Sequence, residues 1–285
     1  MNEYLNHSYI RRVCMMKRWL SLSLSFCLVF LMTAPLAEGK TNQVGSSGLY
    51  EVSTRVALYA NIQGVKTSLP TVVFVSGYGD DSSVWSGIQS EISQKTLTVS
   101  YDRAGLGLSD DTTKDKTTKQ QVKELHKLLR KANIPGPYVL VGHSIGGLNV
   151  RGFADRYTNE VAGAVLIDAS HEKQEEAVLA TLPPEFIEMY QSQFTAEGNY
   201  AEVTKSFKYI EKLRSKDALR NLPLTVISAT EHGMGPEMEI KWAEMQQDLA
   251  SLSNQATHVT AQGSGHYVYL EQPELVQQAI ISMLE

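Results

Sequence analysis

Residues 138–148, Tyr-Val-Leu-Val-Gly-His-Ser-Ile-Gly-Gly-Leu, constrain this chain more than any other stretch. Four β-forming residues run into Gly142-His143-Ser144-Ile145-Gly146, and apolar residues then recur at Val150, Phe153, Ala154 and Tyr157. The first pattern is that of a buried strand; the second, at i, i+3, i+4 and i+7, is one face of a helix. A G-x-S-x-G sequence set between a strand and a helix is a nucleophile elbow. The serine backbone there takes a sparsely populated conformation, and a Cβ on either glycine would strike the adjacent strand or helix. Ser144 is therefore expected at the tip of a tight turn, presented as a nucleophile.

The segments around the elbow supply a sheet for it to stand on. Val52, Val56 and Leu58 mark one or two β-segments within residues 49–59, followed by apolar runs at 71–75, 96–99, 138–141, 161–167 and 224–227. Runs without alternation are what a parallel sheet covered on both faces produces. Helical patterns lie between them at 84–92, at Val122, Leu125, Leu129 and Ala132, and after Ser144. A last strand is expected at 258–261, and Pro273 suits the first turn of a closing helix carrying Leu275, Val276, Ala279, Ile280 and Met283. Strand alternating with helix predicts an α/β fold with a mainly parallel, doubly wound sheet. Residues 171–217 break the alternation. They are helical in pattern, rich in charge and in Phe186, Met189, Tyr190, Phe194, Tyr200, Phe207 and Tyr209, and too long for an ordinary connection. We read them as a small helical lid over the carboxyl edge of the sheet, where ligands bind in open α/β folds. Residues 110–119 read as a solvated, charge-rich loop.

The first 39 residues do not belong to that fold. Arg11, Arg12, Lys17 and Arg18 precede an apolar, serine-rich stretch from Trp19 to Met32, too short to span a bilayer comfortably. This is the layout of a secretory signal peptide, with cleavage expected before Lys40, a cut after Ala37 as the alternative hampered by Pro35, and a start at Met15 or Met16 as an alternative to Met1. The domain proper is then 40–285, and the protein is expected to be secreted or periplasmic, meeting the membrane only through the uncleaved signal. Both cysteines, Cys14 and Cys27, fall in the leader, so the exported domain carries no disulfide and relies on its core, as a domain of this size can. Residues 1–39 hold four basic and two acidic side chains; the remaining 22 basic and 29 acidic residues give a formal charge of −7. Such a surface repels nucleic acid, which leaves a small-molecule substrate as the expected partner.

A serine hydroxyl is a poor nucleophile at neutral pH and needs a general base, itself oriented by a third group. In a nucleophile-elbow protein these follow in the order acid, then histidine. Of the seven histidines, His7 is in the leader, His126 is on a predicted surface helix, His171 and His232 follow strands, His143 adjoins the nucleophile and points elsewhere, and His258 begins a strand. His266, in Gly263-Ser264-Gly265-His266, lies in a flexible loop between the last strand and the last helix, and we assign it as the base. Two carboxylates compete as its partner. Asp168 ends the strand after the elbow helix, and Glu231 follows the strand that begins at Leu224. One oxyanion donor of the motif is the backbone N–H of Ile145. Asp80, Asp81 or Ser82 is expected to cap the next helix, and Trp85 either walls the pocket or packs in the core. No His/Cys/carboxylate cluster has metal-ligand spacing, and Gly105-x-Gly107 lacks the third glycine of a dinucleotide fingerprint, so neither metal nor cofactor is expected.

Taken together, the stretches Ser76-Gly77-Tyr78-Gly79, Asp102-Arg103-Ala104-Gly105-Leu106-Gly107, the elbow, and Gly265-His266 resemble the α/β-hydrolase superfamily from about residue 71 to residue 284. The resemblance implies that the Tyr78 N–H is the second oxyanion donor and that Asp102 and Arg103 organise loops beside the site. It also exposes two departures: Ser76 stands where the family often has histidine, and Ser228-Ala229-Thr230-Glu231-His232 lacks the aspartate commonly found there. A minority of relatives place the acid at the position of Asp168, so Asp168 is preferred and Glu231 kept as the alternative. The function so implied is a serine hydrolase, a carboxylesterase or an enzyme acting on a related acyl bond, working through an acyl-enzyme on Ser144. The competing readings are a non-catalytic receptor using the same pocket and a cofactor-free carbon–carbon bond hydrolase.

Overall fold

The apolar runs become the strands of one eight-stranded sheet in the structure, a computed structural model that describes residues 45–285. The signal peptide expected over residues 1–39 lies outside the described residues. In chain order the strands are β1 (Gly48–Ser53), β2 (Val56–Gln63), β3 (Thr71–Val75), β4 (Thr98–Tyr101), β5 (Tyr138–His143), β6 (Val161–Ile167), β7 (Leu224–Ala229) and β8 (Ala256–Ala261). Their spatial order is β1-β2-β4-β3-β5-β6-β7-β8. β2 pairs antiparallel with both β1 and β4, and the remaining strands pair in parallel. The sequence patterns follow this division. β2 alternates buried and half-buried residues, whereas β3, β4, β5 and β7 are buried throughout because helices cover both faces.

β4 begins two residues later than the expected start at Thr96. Thr96 still belongs to the turn leaving the preceding helix, its N–H donating to Ile92 O at 3.3 Å and its hydroxyl to Pro70 O at 3.0 Å. That helix also differs from expectation: a 3₁₀ turn at Ser82–Trp85 precedes α1 (Ser86–Ile92).

The other helices are α2 (Thr118–Lys131), α3 (Gly146–Arg156), α4 (Gln174–Thr181), α5 (Ile187–Ser192), α6 (Tyr200–Leu213), α7 (Pro236–Ala250), α8 (Val268–Glu271) and α9 (Pro273–Ser282). Successive strand residues face opposite sides. Val73 and Val75 therefore join one core with Leu125, Leu129, Phe153 and Leu249, while Val72 and Phe74 join the other with Trp85, Ile88, Val276 and Ile280. α2, α3 and α7 thus cover one face, and α1 and α9 the other. Burying a side chain such as Phe153 stabilises each layer by about 1.5–3 kcal/mol. α7 was not anticipated, although Met238, Trp242, Met245 and Leu249 recur at helical spacing behind Pro236 and all four are buried.

The insertion over 171–217 holds α4, α5, α6 and short 3₁₀ turns. α6 is amphipathic and lays Val203, Phe207 and Ile210 against Leu148 of α3. Its start is fixed by a capping box in which the Asn199 side chain and Glu202 reciprocally satisfy backbone N–H groups. Among the described residues no helix is long and apolar enough to cross a membrane.

Candidate active site

Every site residue named from the sequence follows the carboxyl end of a parallel strand, so the sheet collects them along one edge. The crossovers turn to opposite sides at β3 and β5, the kind of switch point at which open α/β sheets form a crevice. Ser144 follows β5 with φ of +53°, a left-handed conformation that a residue with a side chain adopts only at a cost. Its N–H donates to Ile167 O at 3.2 Å, and its carbonyl accepts from Gly147 and Ser170, both at 2.9 Å. The flanking glycines are required by space. A Cβ on Gly146 would lie 2.3 Å from Val75 O, and one on Gly142 would lie 2.7 Å from Val150 Cγ2.

The register that sets His143 beside Ile167 brings Asp168 one strand away from Ser144. Asp168 also takes a left-handed turn, with φ of +40°, and is fully buried. Its carboxylate accepts four hydrogen bonds. Oδ1 receives Ala229 N at 3.0 Å and Trp242 Nε1 at 2.8 Å; Oδ2 receives His266 Nδ1 at 2.5 Å and His232 Nε2 at 2.8 Å. Burial pushes the carboxyl upward, but the hydrogen bonds and charges of His232 and His266 more than offset this and hold it well below the usual carboxylate range. Glu231, the alternative acid, is exposed, and among the described residues only its backbone N–H is engaged, with Ser264 O at 3.0 Å.

His266 comes from the loop after β8, with its Nδ1 on Asp168 and its ring 31% exposed. Its carbonyl accepts from His143 Nε2 at 2.9 Å, and the two rings lie 4.5 Å apart. His143 thus turns away from the serine, as expected, yet supports the loop that carries His266. Burial drives the His143 pKa down to about 3, which keeps the ring neutral with its proton on the donating Nε2. Among the described residues no hydrogen bond joins Ser144 Oγ to His266, and contacts of this kind often tighten only when substrate binds. The other histidines lie elsewhere: His126 pairs with Glu160, His171 with Asp248, and His258 with Ser228 and Gln247. The sequence pattern marks His232 only as following a strand; its position three residues past the end of β7 is what brings it to the same edge.

The loop after β3 carries Tyr78. Neither Tyr78 N nor Ile145 N donates to a protein acceptor among the described residues, which leaves both free at this edge. Arg103 holds the loop from behind, donating to Ser76 O at 2.7 Å and Gly77 O at 2.5 Å, while its guanidinium pairs with buried Glu197 of the insertion. Burial would lower the Arg103 pKa, but the Glu197 carboxylate raises it. Glu197 also accepts from Gln121 Nε2 at 2.8 Å and Gly79 N at 3.3 Å. Tyr78 OH receives Glu197 N at 3.1 Å, and the tyrosine ring packs edge-on against Phe194. The insertion is thereby fastened to the loop through Glu197, a residue that no local sequence pattern marks.

Ser76, in place of histidine, is itself a strut: its hydroxyl accepts Trp85 Nε1 at 2.9 Å and donates to Asp81 O at 3.0 Å. Trp85 lies in the core against Phe74 and Tyr269 rather than on a pocket wall. Asp102 accepts from Ser82 N at 2.7 Å and Leu108 N at 2.8 Å, which ties two loops together. Asp81 caps the 3₁₀ turn by accepting from Ser83 N at 2.8 Å. Asp80 instead faces inward. Burial raises its carboxyl pKa, an effect opposed by the charges of Arg103 and His266.

Asp168, His232 and His266 offer donor atoms within 4.8 Å of one another, a grouping gathered from three segments that no local spacing reveals. Both imidazoles aim at a single carboxylate oxygen, as N–H donors do, so the grouping is a hydrogen-bonded chain rather than a cage open to an ion.

Residues 70–199 match the model of the alpha/beta hydrolase fold. The protein YqjL of Bacillus subtilis (strain 168) is 32% identical over 210 residues, which cover 74% of this chain and 81% of YqjL. Among solved structures, a thermophilic esterase from Thermogutta terrifontis superposes with a TM-score of 0.61 at 19% identity, covering 84% of this chain and 98% of the esterase. The enol-lactonase from Burkholderia xenovorans LB400 does so at 0.62 and 18%, covering 82% and 99%. At those identities the likeness is one of fold.

Proposed function

This chain belongs to the alpha/beta-hydrolase family, and on that premise we propose that it is a serine hydrolase that cleaves a carboxylic ester, or a related acyl bond, of a small and partly apolar substrate. The observation that carries this reading is the 2.5 Å contact of His266 Nδ1 with buried Asp168, one strand-end away from a serine on a left-handed turn. With Nδ1–H bound to Asp168, His266 Nε2 carries the lone pair that accepts the Ser144 proton as Oγ attacks the acyl carbon. The negative charge that develops on the acyl oxygen is met by the N–H groups of Tyr78 and Ile145. A donor of this type contributes roughly 10²–10³ in rate. His266 then protonates the leaving group, and later activates the water that releases the acyl group from Ser144.

The insertion over 171–217 acts as the lid of this site. The packing of Phe194 on Tyr78, and of Tyr190 and Tyr200 around Phe194, supports an apolar lining on that side. Residues 1–39 direct export and are removed before Lys40, so N-terminal sequencing of the exported protein should begin at Lys40. A chain that stays inside the cell with its leader would refute that part.

The enzyme reading is tested with a serine-directed fluorophosphonate. The wild-type protein should be labelled and Ser144→Ala should not. An unlabelled wild type would end the hydrolase reading and favour a receptor that keeps the fold. A panel of p-nitrophenyl esters of increasing chain length would then define the acyl preference.

A further inference from the structure

Asp168 does not serve His266 alone. The oxygen that accepts from His266 also accepts from His232 Nε2 at 2.8 Å, and the other ring nitrogen of His232 lies 2.8 Å from Glu239 Oε2 on α7. Glu239 is held in turn, its Oε1 receiving His232 N at 3.0 Å and Met234 N at 3.2 Å. The result is an unbroken chain, Glu239 to His232 to Asp168 to His266, at the edge of the sheet.

A neutral imidazole carries one N–H and one lone pair. With a carboxylate oxygen at hydrogen-bond distance from each nitrogen, a neutral His232 would point its lone pair at an anion. Both contacts are favourable only when both nitrogens carry protons. The His232 side chain is 5% exposed, so water does little to screen that charge. Burial by itself would lower its pKa, but Asp168 and Glu239 outweigh burial and raise it. The charged and titratable groups around the pair are Asp168 from the end of β6, Glu239 from α7, His143, Asp80 and Tyr267 beside His266, and Glu271 of α8, which accepts from Gly265 N at 2.9 Å. Trp242 contributes an uncharged ring 5.2 Å from His232.

We propose that His232 is a positioning residue, an imidazolium fixed between Asp168 and Glu239 that shares the Asp168 carboxylate with His266 and so sets the pH dependence of the reaction at Ser144. The sign follows from Coulomb's law. A cation on the far side of Asp168 weakens the pull of that carboxylate on a proton at its other partner, so removing that cation should move the pH dependence of labelling at Ser144 upward. Glu239 opposes this from farther away and reduces the effect without reversing it. The proposal rests on the hydrolase reading given above.

The test is the second-order rate of fluorophosphonate labelling at Ser144 as a function of pH, in the wild type, His232→Gln and Glu239→Gln. Glutamine at 232 still donates an N–H to Asp168 but carries no charge, and Glu239→Gln removes the anion that keeps His232 protonated. Both variants should move the rise of the pH profile upward by about half a pH unit, roughly a threefold slower rate on the acid side, with the plateau at high pH retained. A profile that matches the wild type, or one lowered by the same factor at every pH, would overturn the proposal. A second measurement needs no variant: ¹⁵N NMR of labelled histidines in the wild type at pH 7 should show both nitrogens of His232 protonated, and a single N–H would overturn it equally. Wild-type protein that does not label would remove the hydrolase reading and this one together, whereas labelled wild type with unshifted variants would remove only this one.

Discussion

Asp168 and Glu231 leave the ends of neighbouring strands: Ile167 pairs with Ile227, and the two acids lie one and four residues beyond this pair. One is fully buried and receives four hydrogen bonds; the other is exposed and makes no side-chain hydrogen bond among the described residues. Reaching the edge of the sheet is therefore not enough to enter the site. At Asp168 the backbone turns left-handed immediately after the strand, and its N–H stays tied to Ile227 O at 2.6 Å, which aims the carboxylate across the ends of β7 and β8. After Ala229 the chain runs on through Thr230 and Glu231, both held through their N–H groups on Ser264 O, and it is His232 that turns inward. A carboxylate facing the interior needs donors waiting for it, and α7 supplies one through Trp242.

That contrast can be broken experimentally. Asp168→Asn should slow hydrolysis of p-nitrophenyl acetate by roughly 10³–10⁴, because the amide no longer holds the His266 tautomer. An equal loss at Glu231 would erase the distinction. Trp242→Phe removes one donor to a buried anion and should destabilise the fold by about 1.5–3 kcal/mol, read by chemical denaturation. The depressed pKa of Asp168 makes its contribution to stability present above the ordinary carboxylate range and lost as pH falls through and below it. Wild type and Asp168→Asn should accordingly converge in thermal melts on going from pH 6 to pH 3, the Tm gap closing by about 2–4 °C per kcal/mol lost. The smallest effect is expected at Glu231→Gln, where activity and Tm should stay close to wild type; a large loss there would restore Glu231 as a candidate acid.

Much of the fold was legible because its signals are local. The uninterrupted apolar runs at 71–75, 138–141 and 161–167 announced strands covered on two faces, and the elbow marked the strand–turn–helix junction by its glycines, whose Cβ atoms would collide with Val75 O and Val150. β4 begins later than its apolar run because Thr96, a β-former, is claimed by the turn that ends α1. α7 is hard to read from the sequence because its four large buried apolar residues are diluted by charges on the exposed side. The insertion was recognised as helical, but not the way it is fastened. Glu197 looks like any surface glutamate until the fold sets Arg103, Gln121 and Gly79 around it.

The same division runs through the candidate site. Ser144 and His266 could be nominated from chain order and neighbouring glycines, since a strained turn and a mobile-looking loop leave a composition that survives in one dimension. Asp168 was preferred to Glu231 only through a family resemblance; seeing that Asp168 lies within hydrogen-bond reach of His266, and finding His232 and Glu239 behind it, required knowing which atoms lie within 3 Å of one another across β6, β7, β8 and α7. Periodicity encodes how a segment is buried, because burial repeats every two or 3.6 residues along the chain. Hydrogen bonds between segments carry no such period. They arise from the register of the sheet and the packing of α7, and these set which of several acids and histidines come to share a proton.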